Sequence, residues 1–475
     1  QPGVRVETNC QNCGFQQVRI NGLDGPYTQI LIDSRPVFSA LSGVYGLEQI
    51  PASMIERVEV MRGGGSALFG SSAIAGTINI ITKEPLRNSG QLSHTITSLG
   101  GSSSFDNNTS LNASLVTDDH RAGLYIFGQN RHRSGYDYDG DGFTELPKLK
   151  NQTVGFRSYL KTSTYSKLTF EYHHMQEFRR GGDMLDRPPH EAHIAEQLQH
   201  SIDGGSLKFD YFSPDEKNRL SIFASAANTD RDSYYGPGND PLKAYGKTTD
   251  LTAMGGAQYV HTFDKCFFMP SDLTAGLEYN RDRLKDNMWG YNRHTDQTVN
   301  IYSAFLQNEW KNDRWGILIG GRLDKHNMVD NIIFSPRANL RFNPTQNINL
   351  RLSYSSGFRA PQAFDEDMHI ENVGGTVAMI ERAKNLKEEK SQSFSASADM
   401  YHRFGVFQTN FLIEGFYTRL TDVFVLGEPY DRGDGILVKT RSNGPGAKVM
   451  GLTLEGKVAY LSILQIQAGL TLQRS

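Results

Sequence analysis

Residues 55–83 read IERVEVMRGGGSALFGSSAIAGTINIITK, and this stretch decides the fold of the chain. Two short runs typical of β-strands, Arg57–Met61 and Thr77–Thr82, enclose a segment of mostly glycine, serine and alanine. The first run carries charged side chains, and the second is apolar and β-branched, as in a buried strand. Glycine has no side-chain bulk and tolerates positive φ, so the middle segment can lie close to another surface. We therefore expect a compact unit that fits inside a larger structure and turns its charges toward the surrounding wall.

A glycine run of this kind can also form a phosphate-binding loop. That interpretation requires Gly-Lys-Ser/Thr or G-x-G-x-x-G between a strand and a helix, and neither follows here. The sequence therefore disfavours nucleotide binding at this position.

The composition excludes several classes of protein. The 475 residues include 49 Lys+Arg and 52 Asp+Glu, so the net charge is −3 and no basic surface for nucleic acid is indicated. The mean hydropathy is −0.48, and no apolar run is long enough for a membrane-spanning helix. A transmembrane β-barrel remains compatible with these values, because its strands alternate apolar and polar residues. Three cysteines are too few for a disulfide-stapled scaffold.

From residue 91 onward the sequence alternates between apolar and polar side chains. Leu350, Leu352 and Tyr354, for example, alternate with polar neighbours. A period of two with one apolar face predicts strands that are buried on one side. A soluble β-sandwich has the same alternation, so the pattern alone does not place the chain in a membrane.

The lengths of the connections distinguish a barrel from a sandwich. Short turns alternate with long polar segments, as in outer-membrane barrels, whereas ordinary compact domains rarely contain so many long loops. The short turns are predicted at Thr117–His120, Ser163–Ser166, Ser213–Asn218, Lys311–Asp313 and Asn343–Gln346, and the long segments near 132–150, 180–198, 231–248, 285–297, 359–385 and 427–446.

The strand count indicates a fragment. At roughly 23 residues per strand with its loops, residues 85–475 supply about 17 strands, whereas plugged outer-membrane transporters have about 22. We therefore expect an all-β transmembrane β-barrel that is truncated at its C-terminus. The final residues, Gln473-Arg474-Ser475, lack the terminal aromatic side chain usual in such barrels, and no signal peptide is visible after Gln1.

Residues 1–84 carry a family resemblance in consecutive pieces. VRINGLDGPYTQILIDSRPV, GLEQIPASMIERVEV and the 55–83 stretch resemble, in this order, the plug domain of TonB-dependent outer-membrane receptors. Ser34 stands where the family usually has glycine, which indicates a differently shaped turn. The resemblance implies that residues 1–84 are the C-terminal part of a small α+β plug inside the lumen of the barrel formed by residues 85–475.

The resemblance also implies a function. It predicts TonB-dependent active import of a scarce metal chelate, namely cobalamin, haem or a ferric siderophore, across the outer membrane of a Gram-negative bacterium. The expected partners are the chelate, outer-membrane lipid, a surface lipoprotein and the TonB complex, which acts through an N-terminal segment missing here. A surface receptor or adhesin and a passive channel are the alternatives. No arrangement of catalytic residues supports an enzyme.

Charges on the predicted plug strand and on the barrel suggest a lock between the two. Arginines inside a lumen need acidic partners, because an unpaired buried charge is costly. Charges merely solvated on a wet lumen surface are the alternative. The predicted lock consists of Glu56, Arg57, Glu59 and Arg62 on the plug and Glu309, Glu389 and Glu455 on the barrel.

An aspartate-rich segment has the spacing of half a calcium loop. Alternate carboxylates followed by glycine can converge on one hard cation, although Lys148 stands where an EF-hand has glutamate. By resemblance, cobalamin receptors of the family bind calcium through aspartates in an equivalent loop. A solvated acidic loop is the alternative. The predicted ligands are Asp137, Asp139, Asp141 and Glu145.

Histidines and one arginine are candidates for binding the chelate. His190 and His193 have ligand-like spacing only if their segment is helical. Phe358-Arg359-Ala360-Pro361 resembles the "F-R-A-P" box of the family, and residues 385–391 resemble a second box imperfectly. Haem receptors of the family place a haem-ligating histidine between these boxes, where His369 lies. Loop histidines without a ligand role are the alternative.

The cysteines suggest one disulfide. Cys10 and Cys13 form a C-x-x-C that closes as a disulfide in an oxidising periplasm, and a metal or redox function is the alternative. Cys266 lies at a predicted periplasmic turn and has no evident role.

Overall fold

The structure is a computed structural model that describes residues 2–10, 14–35, 51–63, 70, 73–237, 244–373 and 376–475. It contains a small unit at the start of the chain and a large β-barrel around it. Among the described residues, no helix is long and apolar enough to cross a bilayer.

The small unit, here called the plug, is built from a hairpin and a three-stranded sheet. In the sheet the order is β3-β5-β4, with β3 parallel and β4 antiparallel to the central strand. Both strand runs predicted in the 55–83 stretch lie within this sheet. The strands are β1 (Val4–Cys10), β2 (Phe15–Ile20), β3 (Thr28–Ile32), β4 (Ile55–Arg62) and β5 (Gly76–Thr82), with 3-10 turns at Gly25–Tyr27 and Ala52–Met54.

In the turn after β3, Ser34 adopts the backbone conformation that a glycine would usually adopt. Ser34 has a φ of 67°, in the left-handed region that glycine usually occupies. Its backbone N–H donates a 2.8 Å hydrogen bond to Asn79 Oδ1, and Asn79 Nδ2 donates back to the Ser34 hydroxyl oxygen at 3.1 Å. These two bonds to the central strand stabilise a conformation that a serine rarely adopts.

Among the described residues, seventeen strands form the closed barrel, each antiparallel to the barrel strand that follows it in the chain, which confirms the predicted number. They are β6 (Ser89–Ser98), β7 (Phe105–Val116), β8 (Ala122–Arg133), β9 (Lys148–Ser163), β10 (Ser166–Gly182), β11 (Ile194–Phe212), β12 (Asn218–Pro237), β13 (Tyr245–Cys266), β14 (Met269–Met288), β15 (Arg293–Lys311), β16 (Trp315–His326), β17 (Ile333–Thr345), β18 (Ile348–Arg359), β21 (Glu389–Phe404), β22 (Phe407–Thr421), β26 (Ala447–Tyr460) and β27 (Leu464–Arg474).

Two long connections on one rim fold together into a small sheet, here called the outer-loop sheet. Its order is β19-β20-β25-β23, with β24 paired to β25. Ile370, Met379 and Ile436 from these connections pack in one apolar cluster with Tyr235 and Tyr291 of the barrel. The elements are α1 (Asp365–Met368), β19 (Glu371–Val373), β20 (Thr376–Arg382), β23 (Phe424–Leu426), β24 (Tyr430–Asp431) and β25 (Leu437–Asn443).

The barrel strands place apolar side chains outward and charged ones inward. Leu352 is 54% exposed and Leu277 65% exposed, whereas Arg322 is 1% and Asp324 0% exposed. A soluble β-sandwich would bury the leucines and solvate the charges. The inverted pattern is that of a barrel whose outer surface contacts lipid and whose lumen is polar.

The loop lengths follow the prediction with two corrections, near 231–248 and near 285–297. Most of the segment 231–248 is strand, because β12 continues to Pro237 and β13 starts at Tyr245. Turns of a few residues link the strands at one rim, and most of the long connections lie at the other. The long loop predicted near 285–297 is wrong, because β14 continues to Met288 and β15 starts at Arg293, with the 3-10 turn Trp289–Tyr291 between them. The polar side chains suggested a loop there. The backbones of β14 and β15 nevertheless stay paired along this polar segment, with Lys285 opposite Asp296.

The plug lies inside the barrel and shares an apolar core with it. Ile20, Ile74 and Ile78 of the plug belong to one buried cluster with residues of the barrel wall. The barrel contributes Tyr125, Phe127, Phe416, Leu420 and Val449. This shared cluster fixes the plug against β8, β22 and β26.

Substituting Leu352 by arginine will test the lipid-facing orientation. An arginine on the lipid face near the middle of a bilayer costs about 2–4 kcal/mol, so Leu352→Arg should lower the free energy of unfolding by about that amount. Denaturant titration of the protein in lipid vesicles measures this value. The matched control, Ser353→Arg on the lumen face, should cost much less. Equal losses in both variants would contradict the assigned orientation.

Candidate functional site: the plug–barrel interface and the outer loops

The most highly connected ion-pair cluster across the interface centres on Arg157 of β9. Its guanidinium lies 2.7 Å from Asp33 Oδ2 of the plug, 3.1 Å from Glu84 Oε1 and 2.8 Å from Glu171 Oε1. Asp33 also accepts a 3.0 Å bond from the Thr82 backbone N–H and a 2.6 Å bond from the Thr82 hydroxyl. The Arg157 side chain is only 13% exposed, so removing it would leave poorly solvated carboxylates. Sequence reasoning missed this cluster.

A second cluster contains one predicted pair. Arg62 Nη1 lies 3.6 Å from Glu455 Oε1, as the predicted lock requires. Its closest carboxylate, however, is Glu414 of β22, with Arg62 Nη2 2.6 Å from Glu414 Oε2. Arg62 Nη1 also donates a 3.2 Å hydrogen bond to the carbonyl oxygen of Pro2. One plug arginine therefore connects two neighbouring barrel strands to the start of the chain.

Four other members of the predicted lock do not bridge the interface. Arg57 Nε lies 2.8 Å from Glu59 Oε1 on the same strand, and both side chains are about half exposed. Glu56 is also exposed. Glu309 lies on β15, and among the described residues no plug side chain forms an ion pair with it. In the described part of the plug these four residues form no ion pair across the interface, and Arg57 and Glu59 share an exposed strand face that is turned away from the wall.

Glu389 does contact the plug, but through a tyrosine. Tyr27 Oη donates a 2.8 Å hydrogen bond to Glu389 Oε1, and the Phe424 backbone N–H donates to the same oxygen at 2.5 Å. Burial and the negative charge of Glu389 raise the pKa of Tyr27, so its hydroxyl remains a neutral donor. Glu389 therefore joins the plug, the barrel wall and an outer loop.

Arg359 is enclosed by the same junction. Its guanidinium lies 2.9 Å from Glu366 Oε2 and 3.7 Å from Glu389 Oε2, and it lies over the Phe364 ring at 4.1 Å. With a side chain 5% exposed, it organises the base of the outer-loop sheet. That Arg359 binds substrate stays a prediction; in this conformation its guanidinium faces Glu366 and Glu389.

The aspartate loop joins the third and fourth barrel strands, as predicted. It holds the only group of three or more potential metal ligands among the described residues, and their ligand atoms lie within 4.8 Å of one another. Asp137 also accepts bonds from the backbone N–H groups of Gly140 and Gly142 at 2.7 and 2.9 Å. Both glycines have positive φ, which permits the tight turn. The four ligands are Asp137, Asp139, Asp141 and Glu145.

The end of this loop touches the plug. A Cβ placed on Gly14 would lie 2.9 Å from Pro147 Cγ, so the plug backbone approaches the loop closely. Arg179 Nη1 donates a 3.2 Å bond to the Gly14 carbonyl oxygen, and Arg133 Nε donates a 3.1 Å bond to the Pro147 carbonyl oxygen. The end of the aspartate loop therefore packs directly against the tip of the β1–β2 hairpin of the plug.

The candidate histidines are not brought together. His190 Nδ1 lies 2.9 Å from Tyr245 Oη, and the 3-10 turn Pro189–Glu191 ends before His193, so the helical spacing that metal binding requires is absent. His369 Nε2 lies 3.6 Å from Glu196 Oε2 on β11. Within the described residues these histidines do not converge on one site, and their part in binding the chelate stays a prediction.

His193 instead helps to close its own loop. His193 Nδ1 lies 2.6 Å from Asp183 Oδ2, and the Ile194 backbone N–H donates to Asp183 Oδ1 at 3.0 Å. Burial alone would raise the pKa of Asp183, but the Ile194 N–H and the His193 ring stabilise its carboxylate more, so the pKa is lowered. Asp183 thus ties together the two ends of the loop between β10 and β11.

The structure describes two of the three cysteines on which the predictions depend. Cys10 ends β1, but Cys13 lies outside the described residues, so the disulfide stays a prediction. Cys266 ends β13 beside a short turn, as predicted, and is a free cysteine.

A β-barrel that holds a small domain in its lumen through buried ion pairs defines the class of plugged outer-membrane receptors. The family model described as "TonB dependent receptor-like, beta-barrel" matches residues 76–475, and the "TonB-dependent Receptor Plug Domain" matches residues 1–77. The chain therefore belongs to the TonB-dependent receptors, whose members are outer-membrane β-barrel proteins of Gram-negative bacteria. The two matches meet within β5, which the structure pairs with the plug strands.

Individual relatives are similar over different lengths. The vitamin B12 transporter BtuB of Vibrio vulnificus strain CMCP6 is 24% identical over 380 residues, which cover 77% of this chain but only 57% of the relative. The siderophore receptor PirA from Pseudomonas aeruginosa matches with a TM-score of 0.78 at 16% identity, covering 100% of this chain and 85% of that one. PirA from Acinetobacter baumannii matches with a TM-score of 0.81 at 19% identity, covering 100% of this chain and 76% of that one. These structures share the fold.

Removing Arg157 should weaken the attachment of the plug. Arg157→Met removes this cation from Asp33 and Glu171, whereas Glu84 keeps Lys167 at 3.2 Å, and the loss of a buried partner typically costs about 3–5 kcal/mol. Denaturant titration of the full-length receptor, followed by protease cleavage of the plug, measures the change. In the control, Arg57→Met removes an exposed pair and should shift the value by less than about 1 kcal/mol. The Arg157 cluster would not hold the plug if the two variants behaved alike.

The loop closed by Asp183 should open in acid. Because the folded-state pKa is lower than the unfolded value of about 3.9, the stabilisation is complete above that value and is lost as the pH falls through the folded pKa. Hydrogen–deuterium exchange of the segment 183–194, corrected for the intrinsic rate, should therefore rise at low pH. Asp183→Asn should remove this transition, and Asp186→Asn in the same loop should keep it. A transition that persists in Asp183→Asn contradicts the assignment.

Proposed function

We propose that this receptor imports a scarce metal chelate across the outer membrane, driven by the TonB complex. The observation that carries the proposal is a plug that occupies the lumen and is held there by a shared apolar cluster together with discrete polar contacts. Arg157 and Arg62 supply ion pairs, and Tyr27 supplies a hydrogen bond. Polar contacts of this kind can be separated one after another when a force acts on the plug, as energised import requires.

Cobalamin is the chelate that we place first. The aspartate loop gathers four carboxylates at the outer rim, which suits calcium, and its end contacts the plug at Gly14. A bound cation would neutralise those carboxylates and fix the loop, thereby presenting an ordered surface to a ligand. The likeness to a vitamin B12 transporter supports the same choice. The separated histidines give no comparable support to haem.

Titration with three chelates will test the proposal. The full-length receptor is titrated with cyanocobalamin, haemin and a ferric catecholate, each with and without calcium, and uptake is then measured in cells with and without an energised inner membrane. We expect energy-dependent uptake of cyanocobalamin and at least about tenfold tighter binding with calcium, equal to 1.4 kcal/mol. Binding that calcium does not change would overturn the calcium proposal.

Paired variants will separate the calcium effect from a general change in charge. The double variant Asp139→Asn with Asp141→Asn removes two of the four proposed ligands and should abolish the calcium effect. The control, Asp186→Asn, changes an exposed aspartate in the next outer loop and should retain it. Tight binding of a chelate without energised uptake would favour the surface-receptor alternative, and uptake that ignores the energy state would favour a passive channel.

A further inference from the structure

Two arginines are exceptions to the apolar outward surface of the barrel. Residues two apart on a strand share a face, so Arg281 and Arg283 of β14 point outward with Leu277, which is 65% exposed. Both arginines are exposed, and Asp282 between them faces the lumen. The strand ends beside the turn whose Tyr291 packs with the outer-loop sheet. The outward face of β14 therefore becomes basic toward the rim with the long loops.

A pair of tyrosines marks the membrane–water interface next to these arginines. The rings of Tyr279 and Tyr302 lie 4.9 Å apart on the outward face, and Tyr302 is 61% exposed. Tyr279 Oη donates a 2.8 Å hydrogen bond to Asn300 Oδ1. Outward tyrosines of this kind form the aromatic girdle at the interface of a membrane barrel. Arg281 and Arg283 are the next two outward residues after Tyr279, so they lie at the depth of the lipid headgroups.

The outward neighbours of the two arginines are neutral. In the register of the sheet, the residues opposite Arg281 and Arg283 are Ala253 and Leu251 on β13 and Asn300 and Thr298 on β15. Among the described residues, neither guanidinium has a carboxylate or a hydrogen-bond partner. The Cα atoms of the two arginines are about 7 Å apart along the strand. Two uncompensated positive charges thus lie side by side.

The basic residues further toward the rim are compensated. Lys285 Nζ lies 3.7 Å from Asp296 Oδ2, and Lys247 of β13 is opposite Asp232 of β12. Other acidic side chains face outward two or three strands away from β14, on β11 and β12, and they are Asp203 and Asp230. The uncompensated charge is therefore confined to the part of β14 that adjoins the apolar surface.

A phosphate group has the charge and shape that these two arginines fit. A guanidinium group presents planar N–H donors that match phosphate oxygens, and phosphate carries the opposite charge. At headgroup depth, phosphate groups belong to lipids. The apolar surface beside the arginines, which includes the exposed Leu277 and Leu251, can receive acyl chains of the same molecule.

We propose that Arg281 and Arg283 bind the phosphate of a phosphorylated glycolipid in the outer leaflet, while its acyl chains pack on the apolar face of β13 and β14. The lipid tethers its phosphate at the depth of the arginines, so the binding does not depend on a dissolved anion. This site lies on the outside of the barrel and is independent of the import function and of the cargo.

A comparison of two lipids will test the site. The full-length protein, purified in a neutral detergent with a chelator of divalent cations, is titrated with diphosphorylated lipid A and with lipid A from which both phosphates have been removed. Native mass spectrometry counts the bound lipid. We expect the phosphorylated lipid to bind at least about tenfold more tightly. Equal affinities in the unaltered protein would overturn the proposal, and this result needs no variant.

Paired variants will locate the site. Arg281→Gln with Arg283→Gln should reduce the preference for the phosphorylated lipid to less than about twofold. The control, Lys148→Gln with Lys150→Gln, removes two positive charges of the same spacing from β9 at the same rim and should retain the preference. A preference that survives in the arginine variant, or an equal loss in both variants, would contradict a site at this arginine pair.

Inorganic phosphate distinguishes a lipid from a dissolved anion. We expect an excess of about a hundredfold of inorganic phosphate to change the affinity for lipid A by less than about twofold, because the acyl chains hold the phosphate of the lipid near the arginines. Displacement of lipid A by inorganic phosphate would instead assign the arginine pair to a free anion and overturn the lipid site.

Discussion

The pairing of buried guanidinium and carboxylate groups in the lumen is the constraint on which the rest of the structure depends. The outward-facing surface is apolar, so the charges of the chain are concentrated on the inner face of the barrel, on the plug and in the loops. Charges with little access to water must be paired, because an unpaired one costs several kcal/mol. Arg157 meets this requirement with Asp33 of the plug, and Arg62 meets it with Glu414 of the wall. The contacts that pair these buried charges are thus the same contacts that hold the plug in the barrel.

Much of the architecture could be predicted from the sequence, because it depends on local patterns. The period-two alternation marks each strand and its lipid-facing side, as Leu352 illustrates. Loop lengths show which ends of the strands share a rim, and counting residues per strand gives the size of the ring. The aspartate loop was also predictable, since its ligands are close in sequence and need only a tight turn to converge. These features do not depend on which distant residues come together.

The plug–barrel partners could not be predicted, because they depend on register between segments far apart in the chain. Arg57 and Arg62 are five residues apart on one strand and therefore lie on opposite faces. Only the orientation of the plug decides which face meets the wall, and Arg62 does so. Arg157 and Asp33 are separated by 124 positions, and nothing local relates them. The sequence did contain one useful signal. Arg157 and Glu414 occupy polar positions on strands whose apolar and polar residues alternate, which places them in the lumen with the plug.

The two arginine clusters are mechanically unequal, and this inequality gives the plug a direction of movement. Arg157 is bonded next to Thr82 and Glu84, where the chain leaves β5 for the first barrel strand, so a covalent connection reinforces that cluster. Arg62 lies at the opposite end of the β4–β5 hairpin, where Gly76 pairs with it, and only non-covalent contacts join it to β22 and β26. A force applied to the plug can separate the Arg62 contacts while the chain still tethers the other end. If the plug moves as the import proposal requires, we expect it to turn about residues 82–89, because the chain keeps that end attached to the barrel.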